Sequence, residues 1–316
     1  MKPAGEFDLI EFIRTQQSVV RPDVLLGIGD DAAVLQAPAD HALVMCSDTL
    51  NEGVHFPVGT DPEAIGWKSL AVNLSDLAAM GASPAWCLLN LCLPESDTRW
   101  LERFTNGFFE LAAAHDVVLV GGDTTRGPLS ISVTACGFVP RKLALTRSGA
   151  KVGDDIWVSG TLGDAALALH RLLAGESLPA ELMDSLDRPT PRVALGSALR
   201  GFASSCIDIS DGILQDLGHV CTASGLAAEV EGDWLPTSDA FDALALREER
   251  LQLQSSGDDY ELCFSAAPGY RNLLVDLAEK LDLRLTRIGS FTSGQGVHLT
   301  QAGRLSSLEK RGHAHF

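Results

Sequence analysis

Apolar positions along the chain follow two periods, and the change from one to the other marks out its elements. Between residues 61 and 81 they fall at Trp67, Leu70, Ala71, Leu74, Leu77 and Ala78, a three-and-four spacing that predicts a helix. Asp61 as N-cap and Pro62 in the first turn suit its start, and Gly81 suits its stop. A second helix is expected from Asp97 to about Ala114, with Trp100, Leu101, Phe104, Phe108 and Leu111 on one side. Residues 7–16 read as a shorter one. The strand-like runs of this half are 24–26, 42–46, 88–93, 117–120 and 129–139. The run at 42–46 is expected to end at Ser47-Asp48. The run at 117–120 is expected to deliver a loop, Gly121-Gly122-Asp123-Thr124-Thr125-Arg126-Gly127.

The apolar pattern lapses around Thr146-Arg147-Ser148-Gly149-Ala150-Lys151, which predicts a domain boundary there: residues 1–148 and 149–316. The second half reads as strand 156–158, a loop through Asp164 and an alanine-leucine helix to about Leu173. Helices at 192–200, 212–224 and 269–281 follow, with strands at 206–209, 262–264 and 284–288 and a Gly-rich tail. The fold class is α/β (α+β) in two domains, the first with a mixed sheet. No strict internal repeat is visible.

Composition narrows the possible partners. The chain has 316 residues, 46% of them hydrophobic, enough to bury a sizeable core. Its 24 basic and 42 acidic residues leave a net charge of −18, which argues against a nucleic-acid groove or an anionic membrane surface. An anionic substrate would have to be held by metal ions and a few placed arginines. Seven cysteines without a Cys-x-x-Cys motif read as reduced thiols of a cytoplasmic protein. The N-terminal MKPAGEFDLIEFIRTQQ has acidic residues where an export signal needs an apolar core. The most apolar stretch, 70–93, is interrupted by Asn73, Asp76 and Pro84 and does not read as a membrane span.

Candidate chemistry lies in aspartates that follow glycine or serine where apolar runs stop. They are Gly29-Asp30-Asp31, Ser47-Asp48, Ser75-Asp76, Gly122-Asp123, Asp208-Ile209-Ser210-Asp211 and Gly257-Asp258-Asp259. Carboxylates held close together resist ionising unless a cation joins them. Magnesium is usually bound through one or two carboxylates plus substrate phosphates. Other readings stand beside this one. Gly27-x-Gly29-x-x-Ala32 after a strand has the look of a dinucleotide loop, with Asp48 about twenty residues on. Against it, Asp30 and Asp31 would face a pyrophosphate charge to charge, and Pro38 leaves little room for the helix. Plain turns with solvated aspartates are the other alternative. Asp76 late in its helix opposes the macrodipole, and Asn73 one turn earlier would share its face. Ser210 or Asp211 could be only an N-cap. Alternatively, the helix start there suits a metal-phosphate group. There is no P-loop, no protein-kinase His-Arg-Asp or Asp-Phe-Gly, and no Gly-x-Ser-x-Gly.

The strings GIGDDAAVL (27–35), SDTLNEGVHF (47–56), WKSLAVNLSDLAAMGASP (67–84), GGDTTRGPL (121–129), LTRSGAKVGDD (145–155), IDISDGILQDLGH (207–219) and SGDDYELCF (256–264), in this order, resemble the thiamine-monophosphate kinase family. That family sits in a superfamily with aminoimidazole ribonucleotide synthetase. The resemblance implies ATP-dependent phosphorylation of thiamine monophosphate to thiamine diphosphate, assisted by several magnesium ions. It also implies a homodimer whose N-terminal domains pair strands; the charge balance above adds the expectation of no nucleic acid and no membrane. Asp30, Ser47, Asp48, Asp76, Asp123, Asp208 and Asp211 match the family's metal positions. Cys46 is grouped with them, where the family often has a hydroxyl residue. Gly122, Asp123, Arg147 and Ser210 match ATP positions, and Asp123 and Arg147 are the catalytic candidates. His55 and Asp258 match thiamine-substrate positions; Asp258 is often Glu in the family. His313 stands in a Gly-His-Ala-His-Phe ending where an aromatic-Asp-His-Phe ending is common, and it joins the substrate set.

Such a reaction needs no strong general base, because a phosphate oxygen is already anionic. The obstacle is bringing two phosphates together, which calls for positioning and charge neutralisation. Related synthetases would share the aspartates, but no Cys precedes Gly27 where a selenophosphate synthetase would normally carry one. A dimeric nucleotide-binding protein with a decayed site is the non-enzymatic alternative, and retention of the whole acidic set argues against it.

Overall fold

The computed structural model describes residues 5–305. By contact density the chain divides into two units: residues up to 77 with 82–142, and residues 78–81 with 143 onward.

The first unit runs α1 (Glu6–Gln16), β1 (Val24–Leu26), β2 (Val34–Leu35), β3 (His41–Asn51), α2 (Pro62–Ala79, its last two residues counted with the second unit), β4 (Ser83–Leu93), α3 (Thr98–Ala114), β5 (Val118–Arg126) and β6 (Ser130–Pro140). Among the described residues, four strands form one sheet in the order β3-β6-β4-β5. Only β4 and β5 run parallel, and α3 supplies the crossover that parallel neighbours need. The helix begins where Asp97 accepts hydrogen bonds from the Arg99 and Trp100 amides, and it buries Leu101, Phe104, Phe108 and Leu111.

Three strands differ from expectation. β3 does not stop at Ser47-Asp48 but continues to Asn51, and β5 does not stop at Val120 but continues through Asp123 to Arg126. β5 extends because its backbone stays paired with β4 as far as Leu93, and β3 extends alongside hydroxyl residues of β6. Ser47 lies 2.9 Å from Thr134 and Thr49 2.7 Å from Ser132, hydroxyl to hydroxyl. β4 starts five residues before Leu88, running through Pro84, where its register with β6 shifts.

The second unit runs β7 (Asp155–Ser159), α4 (Asp164–Leu173), α5 (Ala180–Asp187), α6 (Val193–Leu199), β8 (Ala203–Asp208), α7 (Ile213–Ser224), β9 (Ala227–Glu231), α8 (Asp239–Leu244), α9 (Arg250–Gln254), β10 (Leu262–Ala266), α10 (Arg271–Leu281), β11 (Leu285–Thr292), β12 (Gly296–Gln301) and β13 (Arg304–Leu305). Its sheet has the order β13-β12-β9-β11-β7-β10-β8, antiparallel except for β9 with β12. β7 and β10 are buried along their whole length, so the sheet is covered on both faces there. One core gathers Ile156, Val158, Ile207, Leu217, Val220 and Phe291. Another gathers Trp157, Leu195, Leu199, Phe264 and Leu274. The chain is therefore a mixed α/β protein. No helix of the described residues is long and apolar enough to cross a membrane.

Candidate functional site

In the first unit, Gly122 occupies a place that tolerates no side chain. Its φ is +148°, and an added Cβ would lie 1.8 Å from the Leu89 carbonyl oxygen on β4. The next residue, Asp123, is exposed and stands within β5, rather than in a loop after it. Strand register sets Thr49, Ser132, Asn90 and Asp123 in one polar row across the sheet. Asp123 Oδ1 accepts the Thr124 amide at 2.8 Å.

Buried Asn73 ties α2 to β3. Its Oδ1 accepts the Asp48 amide at 3.2 Å, and the Cys46 thiol donates to its carbonyl at 3.3 Å. Asp76, one helical turn on, interacts with Cys46. Burial raises the thiol's pKa, and the Asp76 and Asp48 carboxylates raise it further. Cys46 is thus a protonated thiol at neutral pH, a poor metal ligand in that form. Burial also raises the Asp48 carboxyl. Cys46 and Asp48 are half-buried, whereas Ser47 between them is exposed and bonds Thr134, as strand alternation requires. His55 follows β3, its Nδ1 accepting the Asn51 amide at 3.0 Å, so the neutral ring carries its proton on Nε2. Asp30 is exposed, and its Oδ1 accepts the Asp31 amide at 2.9 Å.

In the second unit, two loops are stitched backbone to backbone. The amide of Asp258 donates to the Ser210 carbonyl, Tyr260 to Ile209, and Ile209 to Glu261, each at 2.8 Å. The crossing needs Gly212, with φ +120°, where a Cβ would lie 2.2 Å from the Ser255 carbonyl oxygen. Asp208 ends β8 and is buried, Ser210 is exposed and Asp211 is half-buried. Neither Ser210 nor Asp211 is the N-cap of α7; Gly212 is. Asp216, in the first turn, takes up the loop's amides instead. Its Oδ2 accepts from Ser210 at 3.1 Å and from Asp211 and Gly212 at 3.0 Å. Those three amides are therefore used within the protein, which leaves the Ser210 hydroxyl and the Asp208 and Asp211 carboxylates as the side-chain groups for the metal-phosphate role expected of this helix start. Burial, then the Asp208 and Asp211 charges, push the Asp216 carboxyl up to about 7.

Next to half-buried Asp258, burial pushes the Asp259 carboxyl well above the usual range. Its Oδ1 accepts the Gly163 amide at 2.8 Å, while Oδ2 is buried without a hydrogen-bond partner. Asp259 thus serves the fold, and burial favours its protonated form. Buried Glu261 binds Arg192 and Ser159. Arg147 is exposed, its carbonyl accepting from the Ser224 hydroxyl at 3.2 Å. His313 lies outside the described residues.

Sequence reasoning missed Asp216, Arg192 and Glu261. Only Asp216 left a signal, an acidic residue in the first turn of a helix. Among the described residues, no three His, Cys, Asp or Glu side chains form a ready-made cage for a metal. The donors still suit magnesium, which takes a few carboxylates and completes its shell with phosphate and water. The mutual repulsion of Asp208, Asp211 and Asp216 is the kind a cation relieves.

Residues 29–139 match the family model AIR synthase related protein, N-terminal domain, and residues 151–301 match AIR synthase related protein, C-terminal domain. The thiamine-monophosphate kinase of Escherichia coli (strain K12) is 45% identical over 321 residues, covering 99% of this chain and 98% of that protein. The crystal structure of the thiamine-monophosphate kinase of Stenotrophomonas maltophilia K279a is 56% identical, with a TM-score of 0.88, covering 94% of this chain and 96% of that one. AaThiL complexed with AMPPCP and TMP is 32% identical, with a TM-score of 0.78, covering 100% of this chain and 98% of that one.

Proposed function

The chain belongs to the thiamine-monophosphate kinase family, and on that premise we propose that it transfers the γ-phosphoryl group of ATP to thiamine monophosphate, giving thiamine diphosphate and ADP. The observation that carries this reading is the full-length likeness to AaThiL, a relative complexed with AMPPCP and TMP.

The acceptor oxygen is anionic already, so the chain's task is to position two phosphates and neutralise their charge. We assign metal binding to Asp30, Asp48, Asp76 and Asp123 in the first unit and to Asp208 and Asp211 in the second. Ser47 and Cys46 stand beside the first set, Cys46 as a neutral thiol. Magnesium held there would supply positive charge to the transferring and leaving oxygens. Exposed Gly122 and the Ser210 hydroxyl are assigned as ATP contacts. Exposed Arg147 adds a positive charge for the phosphates. Asp258 and His55 are assigned to the thiamine moiety, whose cationic thiazolium a carboxylate favours. The transfer is direct, with no phosphorylated aspartate.

A homodimer through the first unit is part of this reading. Leu43, Met45 and Leu88 are 47%, 59% and 37% exposed on strands of its sheet, apolar surface that a second copy would cover. A cytoplasmic location suits the reduced thiols.

Purified protein with magnesium, ATP and thiamine monophosphate is expected to yield thiamine diphosphate, read by chromatography. No product at any magnesium concentration overturns the activity. A radiolabelled protein trapped after mixing with ATP alone overturns direct transfer.

A further inference from the structure

One oxygen organises the loop that carries three of the assigned residues. Asp216 is 3% exposed, and its Oδ2 receives the consecutive amides of Ser210, Asp211 and Gly212. Successive amides converging in this way make a concavity that commonly holds an anion from outside. Here the acceptor is internal, contributed by the first turn of the helix that the loop leads into. With the three N–H groups turned toward Asp216, the course of the backbone from Asp208 to Gly212 is fixed from one side. The Asp258 and Tyr260 amides fix it from the other by donating to the Ser210 and Ile209 carbonyls. Asp211 is steadied further, since its Oδ2 accepts from Gln215 Nε2 at 3.0 Å.

We propose that Asp216 is a positioning residue for the phosphoryl transfer, holding the 210–212 backbone so that Asp208, Ser210 and Asp211 present their side chains to metal and nucleotide. Asp216 itself touches neither. The inference rests on the kinase reading above and on the metal role it gives Asp208 and Asp211. Partners that orient metal ligands typically govern metal affinity by about 10- to 100-fold when removed.

Acceptor geometry, rather than charge, is what the role demands. Asp216→Asn keeps a carbonyl oxygen that can receive the same three amides; Asp216→Ala removes it, and Asp216→Ser is too short to serve all three. The experiment reads backbone amide exchange at Ser210, Asp211 and Gly212, and the magnesium concentration giving half-maximal rate. The Ala or Ser variant is expected to exchange faster at these three amides and to need at least about tenfold more magnesium. The Asn variant is expected to stay near wild type in both. Using whichever of Ala and Ser folds keeps the comparison decisive. Unchanged exchange at residues 210–212, an unchanged magnesium requirement, or an Asn variant as impaired as Ala overturns the proposal. A merely structural role would lower the folded fraction and leave the magnesium requirement alone. Failure of the kinase reading is distinguishable, since wild type too would then make no thiamine diphosphate. Exchange and magnesium-dependent binding of a non-hydrolysable ATP analogue would still decide the role of Asp216.

Discussion

Replacing Arg192 with leucine would isolate a carboxylate that the second unit keeps out of water. Glu261 is 5% exposed and lies just after Asp258 and Asp259, at the start of β10. Its Oε2 receives Arg192 Nε at 2.7 Å, a second guanidinium N–H reaches Oε1, and the Ser159 hydroxyl donates as well. In Arg192→Leu only the hydroxyl remains. Removing one partner of a buried ion pair costs about 3–5 kcal/mol, because the other charge is left uncompensated. The Arg192 side chain is 23% exposed, so water can enter behind it, which places the loss near the lower end, about 3 kcal/mol. For a unit of this size that corresponds to a fall in Tm of about 6–12 °C. Thermal melts and urea titrations of wild type, Arg192→Leu, Glu261→Gln and the double variant test the reasoning. The double variant buries a neutral amide instead of a bare charge, so it should recover at least about 1 kcal/mol relative to the sum of the single losses. An Arg192→Leu protein within about 1 kcal/mol of wild type would show that solvent screens the pair as it does at a surface. Strictly additive losses would show that the two side chains do not act on each other.

The remaining expectations concern single side chains. Gly122→Ala puts a Cβ 1.8 Å from the Leu89 carbonyl oxygen at a φ of +148°. A backbone overlap of that size, at a φ that L residues rarely adopt, should cost about 2–5 kcal/mol, read as a lower Tm; an unshifted melt refutes it. Asp258→Asn removes the charge assigned to the thiazolium and should raise KM for thiamine monophosphate about tenfold while leaving KM for ATP near wild type. Equal changes in both would count against the assignment. Burial pushes the Asp259 carboxyl well above the usual carboxylate range, so on raising the pH the unfolded chain ionises before the folded one. Its stabilising proton is retained below the unfolded value and lost as pH rises through the raised folded value, so wild-type stability should fall with increasing pH by up to about 1.4 kcal/mol per unit. Asp259→Asn should flatten that slope, and stability curves for the two proteins that stay parallel from about pH 4 upward would refute it.

Elements marked by their own apolar periodicity were legible in the sequence, and elements defined by their neighbours were not. The spacing from Trp67 to Ala78 and the row from Leu101 to Leu111 predict α2 and α3 because each helix packs by its own periodicity. Ser47 to Asn51 and Gly121 to Arg126 carry no such pattern. They are strand because β6 and β4 offer them a ladder, and hydroxyl pairs such as Thr49 with Ser132 complete it. β9 and β12 were missed for a similar reason. They pair in parallel from separate parts of the chain, and glycines around β12 read locally as a loop.

The acidic turns divide along the same line. Sequence alone sets Asp208, Ser210 and Asp211 between a strand and a helix, where a ligand-binding role is a sound expectation. It does not distinguish aspartates that face solvent from those that serve the fold. Asp30 and Asp123 are exposed, each accepting the amide of its own neighbour, and their remaining acceptor capacity is open to a cation. Asp216 and Asp259 have the same side chain and the opposite task, since each receives backbone amides from the loops beside them. A chain with a net charge of −18 that works on phosphates needs that charge offset locally, yet its carboxylates must also not repel the site apart. Assigning some of them to internal amides, with proton affinities raised by burial, removes part of that repulsion before any cation binds. The loop at 208–212 meets both uses: it carries Asp208 and Asp211, and the Asp216 carboxyl is turned inward onto its amides.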